Sequence, residues 1–164
     1  MSKLLKFTAL ALTVAAATLA QAQAVRSEKN MSLELANQIA AAGVAACQAG
    51  GYNVTVTVVD RAGGVRAVQR ADNAGPHTLA ASQQKAFTSA SAKNATLAMM
   101  ETAQKNPGAA NLVDIPGFLL LGGGVPVKVG NEVIGAVGIG GAPAGNLDEQ
   151  CAVTALDKVK DQLK

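Results

Sequence analysis

Residues 119–152 read LLLGGGVPVKVGNEVIGAVGIGGAPAGNLDEQCA, and nine of the chain's 17 glycines fall inside them. Glycine this dense in an ordered domain holds backbone close to something, or sets it at positive φ. The Val and Ile residues between the glycines carry the ladder of a strand. This stretch therefore demands a sheet that another surface approaches closely, and the open question is whether that surface is a ligand or the rest of the fold.

The chain of 164 residues is long enough for one domain with its own core. Its first part reads differently from the rest. Lys3 and Lys6 precede an apolar run over 7–19, and Ala22-Gln23-Ala24 fits the small-x-small cleavage rule, with Ala20-Gln21-Ala22 as a second fit. Residues 1–24 are expected to be a secretory signal peptide and 25–164 the domain, periplasmic or secreted. The leader takes two lysines and no acid, which brings the formal charge from +3 to about +1. No basic block with interleaved aromatics remains, so nucleic acid is not an expected partner.

Periodicity gives the elements. Ser32 caps a helix running to about Ala49, with Leu35, Ile39, Ala42, Gly43 and Ala46 on its buried face. Gly50-Gly51 stops it. Residues 52–59 alternate as a half-buried strand, and the 60–64 turn leads back through a second strand over 65–70. Pro76 opens a helix reaching about Lys93, and Thr96 caps a shorter one that ends before Asn106-Pro107-Gly108. Strand segments are expected over 118–121, 125–129 and 133–140. Asn146 or Asp148 opens a last helix whose apolar face is Ala152, Val153, Leu156 and Val159. Short turns between strands predict an α+β domain, a largely antiparallel sheet flanked by helices. With aromatics at 2%, the core is small-residue and each buried Val contributes only about 1–2 kcal/mol. Oligomerisation would add buried area.

Spacing excludes several chemistries. In Gly138-x-Gly140 the third glycine position is Pro143, and no βαβ unit surrounds it, so there is no dinucleotide fingerprint. Gly122-Gly123-Gly124 lacks the Lys-Ser/Thr of a phosphate loop, and no Gly-x-Ser-x-Gly elbow is present. One histidine and two distant cysteines do not make a zinc site. Cys47 and Cys151 read either as one disulfide of an exported protein or as two buried small hydrophobes.

His77 is the sole histidine and lies in the first turn of a helix, where the helix dipole favours neutral imidazole. Neutral imidazole is the form that ligates metal or haem iron; the bland reading is a surface histidine. Arg70 and Lys85 suit ligand carboxylates, with a solvent charge at a strand end as the alternative for Arg70. Met99 and Met100 fit core packing. Asp148 and Glu149 are explained by their place at a helix start.

Taken together, VVDRAGGVRAVQRADNAGPHTLAASQQKAFTSA and the glycine-rich stretch resemble the HbpS/GlcG family, formerly a domain of unknown function. The resemblance spans nearly the whole domain through VVD-x-x-G, the R-x-D loop, Lys-Ala, GGG-x-P, GAVG-x-x-G and D-E-x-C-A. It implies a profilin-like α/β fold, homo-oligomers and, in some members, haem; one relative is a sensor accessory and another domain is fused to a corrinoid adenosyltransferase. Carried onto this chain, Gly122, Gly123, Gly124 and Pro126 match the family's glycine loop, and Asp72 and Asn73 its acidic loop. The resulting expectation is an exported haem- or tetrapyrrole-binding protein in which His77 ligates the iron and Arg70 or Lys85 faces the propionates. Two other classes stand beside it. One is an enzyme on a small organic acid, in a pocket between Asp72, His77 and the glycine loop, with His77 as general base. The other is a non-catalytic module that recognises a membrane sensor.

Overall fold

The computed structural model describes residues 25–164; the expected signal peptide, 1–24, lies outside them. Helix α1 spans Leu33–Ala49, and the Ser32 hydroxyl accepts the Leu35 N–H at 3.1 Å, as its cap position requires. Strands β1 (Thr55–Asp60) and β2 (Val65–Arg70) form a hairpin. Asp60 shapes its turn by accepting the N–H groups of Ala62 and Gly64. Helices α2 (His77–Ala92) and α3 (Thr96–Lys105) follow, then a 3-10 helix over Pro107–Asp114. Strands β3 (Gly124–Val129) and β4 (Glu132–Gly140) make the second hairpin, and α4 (Gly145–Lys158) closes the domain.

The four strands form one antiparallel sheet in the order β2-β1-β4-β3. The α+β architecture expected from the sequence is the one found. On one face α1 and α4 bury Val54, Val56, Val58, Val127, Val137 and Ile139 against Leu35, Ile39, Ala40 and Ala152. On the other face α2 lies across β1 and β4, over Val59 and Ala136. Cys47 of α1 and Cys151 of α4 are joined by a disulfide with Cα atoms 5.3 Å apart. Of the two readings the sequence left open, this is the bonded one.

Several expectations are corrected. Strand β1 is buried on both faces rather than one, because α2 covers the threonine side. Its hydroxyls are satisfied there: Thr55 meets Thr78 at 2.7 Å and Thr57 meets Ser82 at 2.8 Å. Residues 118–121 form no strand; the edge of β4 is taken by β3, and the Leu119 N–H instead donates to the Thr88 hydroxyl. Thr96 is the first residue of α3 rather than its cap. Its hydroxyl donates to the Leu121 carbonyl and accepts the Gly124 N–H, stapling the glycine triplet to α3. In α4 the helix opens one residue before Asn146, and the inward face is Asp148, Cys151, Ala152 and Ala155, which leaves Val153 exposed.

Candidate functional site

The buried stripe of α2 carries Thr78, Ser82, Lys85, Ala86 and Ser89. A lysine at a core position of a helix needs a counter-charge. Asp148 supplies it from the first turn of α4: Lys85 Nζ donates to Asp148 Oδ2 at 2.7 Å and to the Ile139 carbonyl at 2.9 Å. The other carboxylate oxygen accepts the Ala142 N–H at 3.0 Å. Both side chains are almost wholly removed from solvent. Burial pushes the Asp148 carboxyl above its ordinary value, opposed by the Lys85 ammonium and by the N–H groups of Ala142 and Gly141.

This pair forms the inner wall of a pocket of about 210 Å³. Its sides are the 140–145 loop between β4 and α4, with Leu121 and Ala81, and His77 lies at its rim. His77, Ala81 and Lys85 are spaced four apart, so α2 presents them as one line along the pocket. The imidazole is exposed and lies against Gly75. Among the described residues, no hydrogen bond holds its ring.

Of the residues expected at the site, only His77 and Lys85 line this pocket. Lys85 is not a surface cation: its ammonium is buried and shared between Asp148 and the backbone. Arg70 ends β2 with its guanidinium on the Ala74 carbonyl. Asp72 and Asn73 sit exposed in the following loop, Asn73 with φ of 65°. None of the three is part of the pocket wall. Pro126 is half-buried in edge strand β3, opposite Ala136, where its missing N–H breaks no ladder.

The glycine triplet is also placed differently from expectation. All three residues are buried. A Cβ on Gly124 would fall 2.4 Å from the Lys85 carbonyl oxygen, and one on Gly122 would fall 2.9 Å from backbone atoms of Gly145. At Gly123, with φ of 120°, a Cβ would meet the Ile139 carbonyl oxygen at 2.6 Å and Lys85 Nζ at 3.0 Å. The surface that approaches this backbone is protein, namely α2 and the start of α4, and the triplet is not a ligand cradle. Its effect on the site is indirect: it lets Lys85 and Asp148 meet.

Sequence reasoning missed Asp148, which was explained by its helix-start position alone. The available signal was Lys85 itself, standing at helical spacing among Thr78, Ser82, Ala86 and Ser89. A second pocket, of about 360 Å³, lies on another side of α2 and is lined by Gly63, Gln83, Gln84, Phe87 and Pro116. Phe87 there packs edge-on against Phe118, ring centres 6.3 Å apart.

Comparison with known proteins agrees with this architecture. The family model described as haem degrading protein HbpS-like matches residues 31–157. Protein GlcG of Escherichia coli is 36% identical over 109 residues, which is 66% of this chain and 80% of GlcG. The crystal structure of a double mutant of HbpS from Streptomyces reticuli superposes with a TM-score of 0.76 at 37% identity, covering 82% of this chain and 90% of that one. The crystal structure of a PduOC–haem complex superposes with a TM-score of 0.70 at 25% identity, covering 78% and 94%. With the family model spanning most of the domain and solved relatives superposing over most of the chain, the chain belongs to the HbpS-like family.

Proposed function

We propose that this protein is an exported haem-binding protein in which His77 would hold the iron. The observation that carries the reading is an exposed imidazole at the rim of a pocket, on a fold whose relatives include a structure bound to haem. It stands in the first turn of α2, with its ring open to the pocket rim. A pocket of about 210 Å³ is smaller than the ~300 Å³ at which sites for drug-sized ligands begin. Leu121 and the alanines of the 140–145 loop would give a haem its apolar contacts at the rim. Export is supported by the leader-like first residues and by a disulfide, which persists in oxidising compartments.

Titration of the purified protein with haemin, followed in the Soret band, tests the reading. A saturable shift is expected, and His77→Ala should abolish its axial-histidine character. No saturable shift in the wild type overturns haem binding. A shift unchanged by His77→Ala moves the haem elsewhere, with the Phe87 pocket as the next seat, since its aromatic edge and larger volume suit a flat apolar ligand.

A further inference from the structure

The buried ion pair beneath His77 is more than a structural tie. A buried pair is often replaceable by packed apolar side chains without loss of stability. Such a pair facing an open cavity is a poor way to fill a core, yet Lys85 and Asp148 both line the pocket. An ammonium has three N–H groups. Two are used, on Asp148 Oδ2 and on the Ile139 carbonyl. We propose that the pocket takes a carboxylate group, carried either by a short aliphatic acid or by the side arm of a larger ligand, with the third N–H of Lys85 as its anchor.

The remaining walls agree with that ligand. Ala81, Leu121, Ala142, Pro143 and Ala144 offer small apolar surface to a short carbon chain, and His77 stands at the open end. At ~30 Å³ of liquid volume per water, the pocket of about 210 Å³ has room for a molecule of roughly four to seven heavy atoms. The charged and titratable groups lining the pocket are Lys85, Asp148 and His77. Neighbouring Glu149 is engaged elsewhere, accepting the Leu97 N–H at 3.3 Å. Asp148 is the group that would resist an incoming anion. Burial holds its carboxyl above the ordinary value, which makes proton uptake at Asp148 the route by which a bound carboxylate avoids two like charges side by side.

The inference does not require haem to bind, and the test keeps the two apart. Sodium propionate and sodium butyrate are titrated into the wild-type protein and followed by ligand-observed NMR. Saturation in the millimolar range is expected for so few contacts. Lys85→Met should weaken it by about tenfold or more, the loss of a charged anchor. Because that variant leaves Asp148 buried without its partner, Ala81→Leu serves as the second: it fills the pocket and keeps the ion pair. A parallel arm compares haemin with its dimethyl ester in the Soret titration.

Free acids that saturate the wild type but not Ala81→Leu identify the pocket as a small-acid site. Haemin that binds about tenfold more weakly to Ala81→Leu, with the dimethyl ester indifferent to the substitution, identifies a propionate as the occupant. The proposal is overturned if no acid saturates up to about 50 mM and haemin is also indifferent to Ala81→Leu. It is equally overturned if the acids bind Ala81→Leu as well as they bind wild type. Absence of any haemin shift removes the haem reading and leaves the free-acid arm to decide.

Discussion

Lys85 and Asp148 each satisfy the other, and neither has water to fall back on. Removing one partner strands a buried charge, so Lys85→Met or Asp148→Leu should each cost about 3–5 kcal/mol in denaturant unfolding, while the two combined should recover most of that loss. Additive losses in the double variant would refute the coupling. Acidity adds a signed expectation. The native carboxyl lies above its ordinary 3.8, so the folded protein takes up this proton before the unfolded chain does. The group therefore favours the fold increasingly as pH falls toward that value and disfavours it as pH rises through the native pKa. The advantage of wild type over Asp148→Asn should widen on acidification; a narrowing places the native carboxyl below its ordinary range. At this scale the sequence was half legible. His77 and Lys85 could be picked out by residue type and spacing. Asp148 could not, because an acid at a helix start already has a sufficient local explanation, and its partner lies 63 residues away in the chain.

Among the elements, α2 depends most on residues outside itself. It is held to β1 by Thr55–Thr78 and Thr57–Ser82, and it rests on β4 at Gly138. A Cβ on Gly138 would lie 2.1 Å from the Ser82 carbonyl oxygen and 2.4 Å from the Ala86 nitrogen, both helix backbone. Gly138→Ala should therefore push α2 off the sheet and cost about 3 kcal/mol or more in thermal or denaturant unfolding, beyond ordinary overpacking, because no rotamer change relieves it. A loss below about 1 kcal/mol would show that the helix shifts freely. The helices and hairpins were readable from periodicity and turn residues, since those signals are local. The full burial of β1 was not: Thr55 and Thr57 look like a solvent face until the helix that covers them is in place. The strand over 118–121 failed for a related reason, as apolar residues alone do not supply a pairing partner.

For the whole molecule, one covalent link joins the first helix to the last, closing a loop of 104 residues. Chain entropy alone assigns a loop of about 100 residues some 4.7 kcal/mol, with native disulfides commonly costing about 2–5 kcal/mol when removed. Cys47→Ala/Cys151→Ala, or reduction with dithiothreitol, should lower the melting temperature of a domain built on alanine and valine, measured by circular dichroism against the oxidised protein. An unchanged melt would mean that α1 and α4 hold by packing alone. Antiparallel sheet, flanking helices and family were legible because each rests on patterns spread along the chain. The role of the glycine triplet was not, because close approach looks the same in sequence whether the neighbour is a ligand or a helix.

The same link changes what cutting the backbone achieves. The long connection through the 3-10 helix, Pro107–Asp114, and on to Leu121 runs largely exposed, and it falls between Cys47 and Cys151. A protease that severs it opens a ring rather than dividing a line. The two pieces travel as one molecule in an oxidising medium, β1 and β4 still side by side, and part only once the sulfurs are reduced.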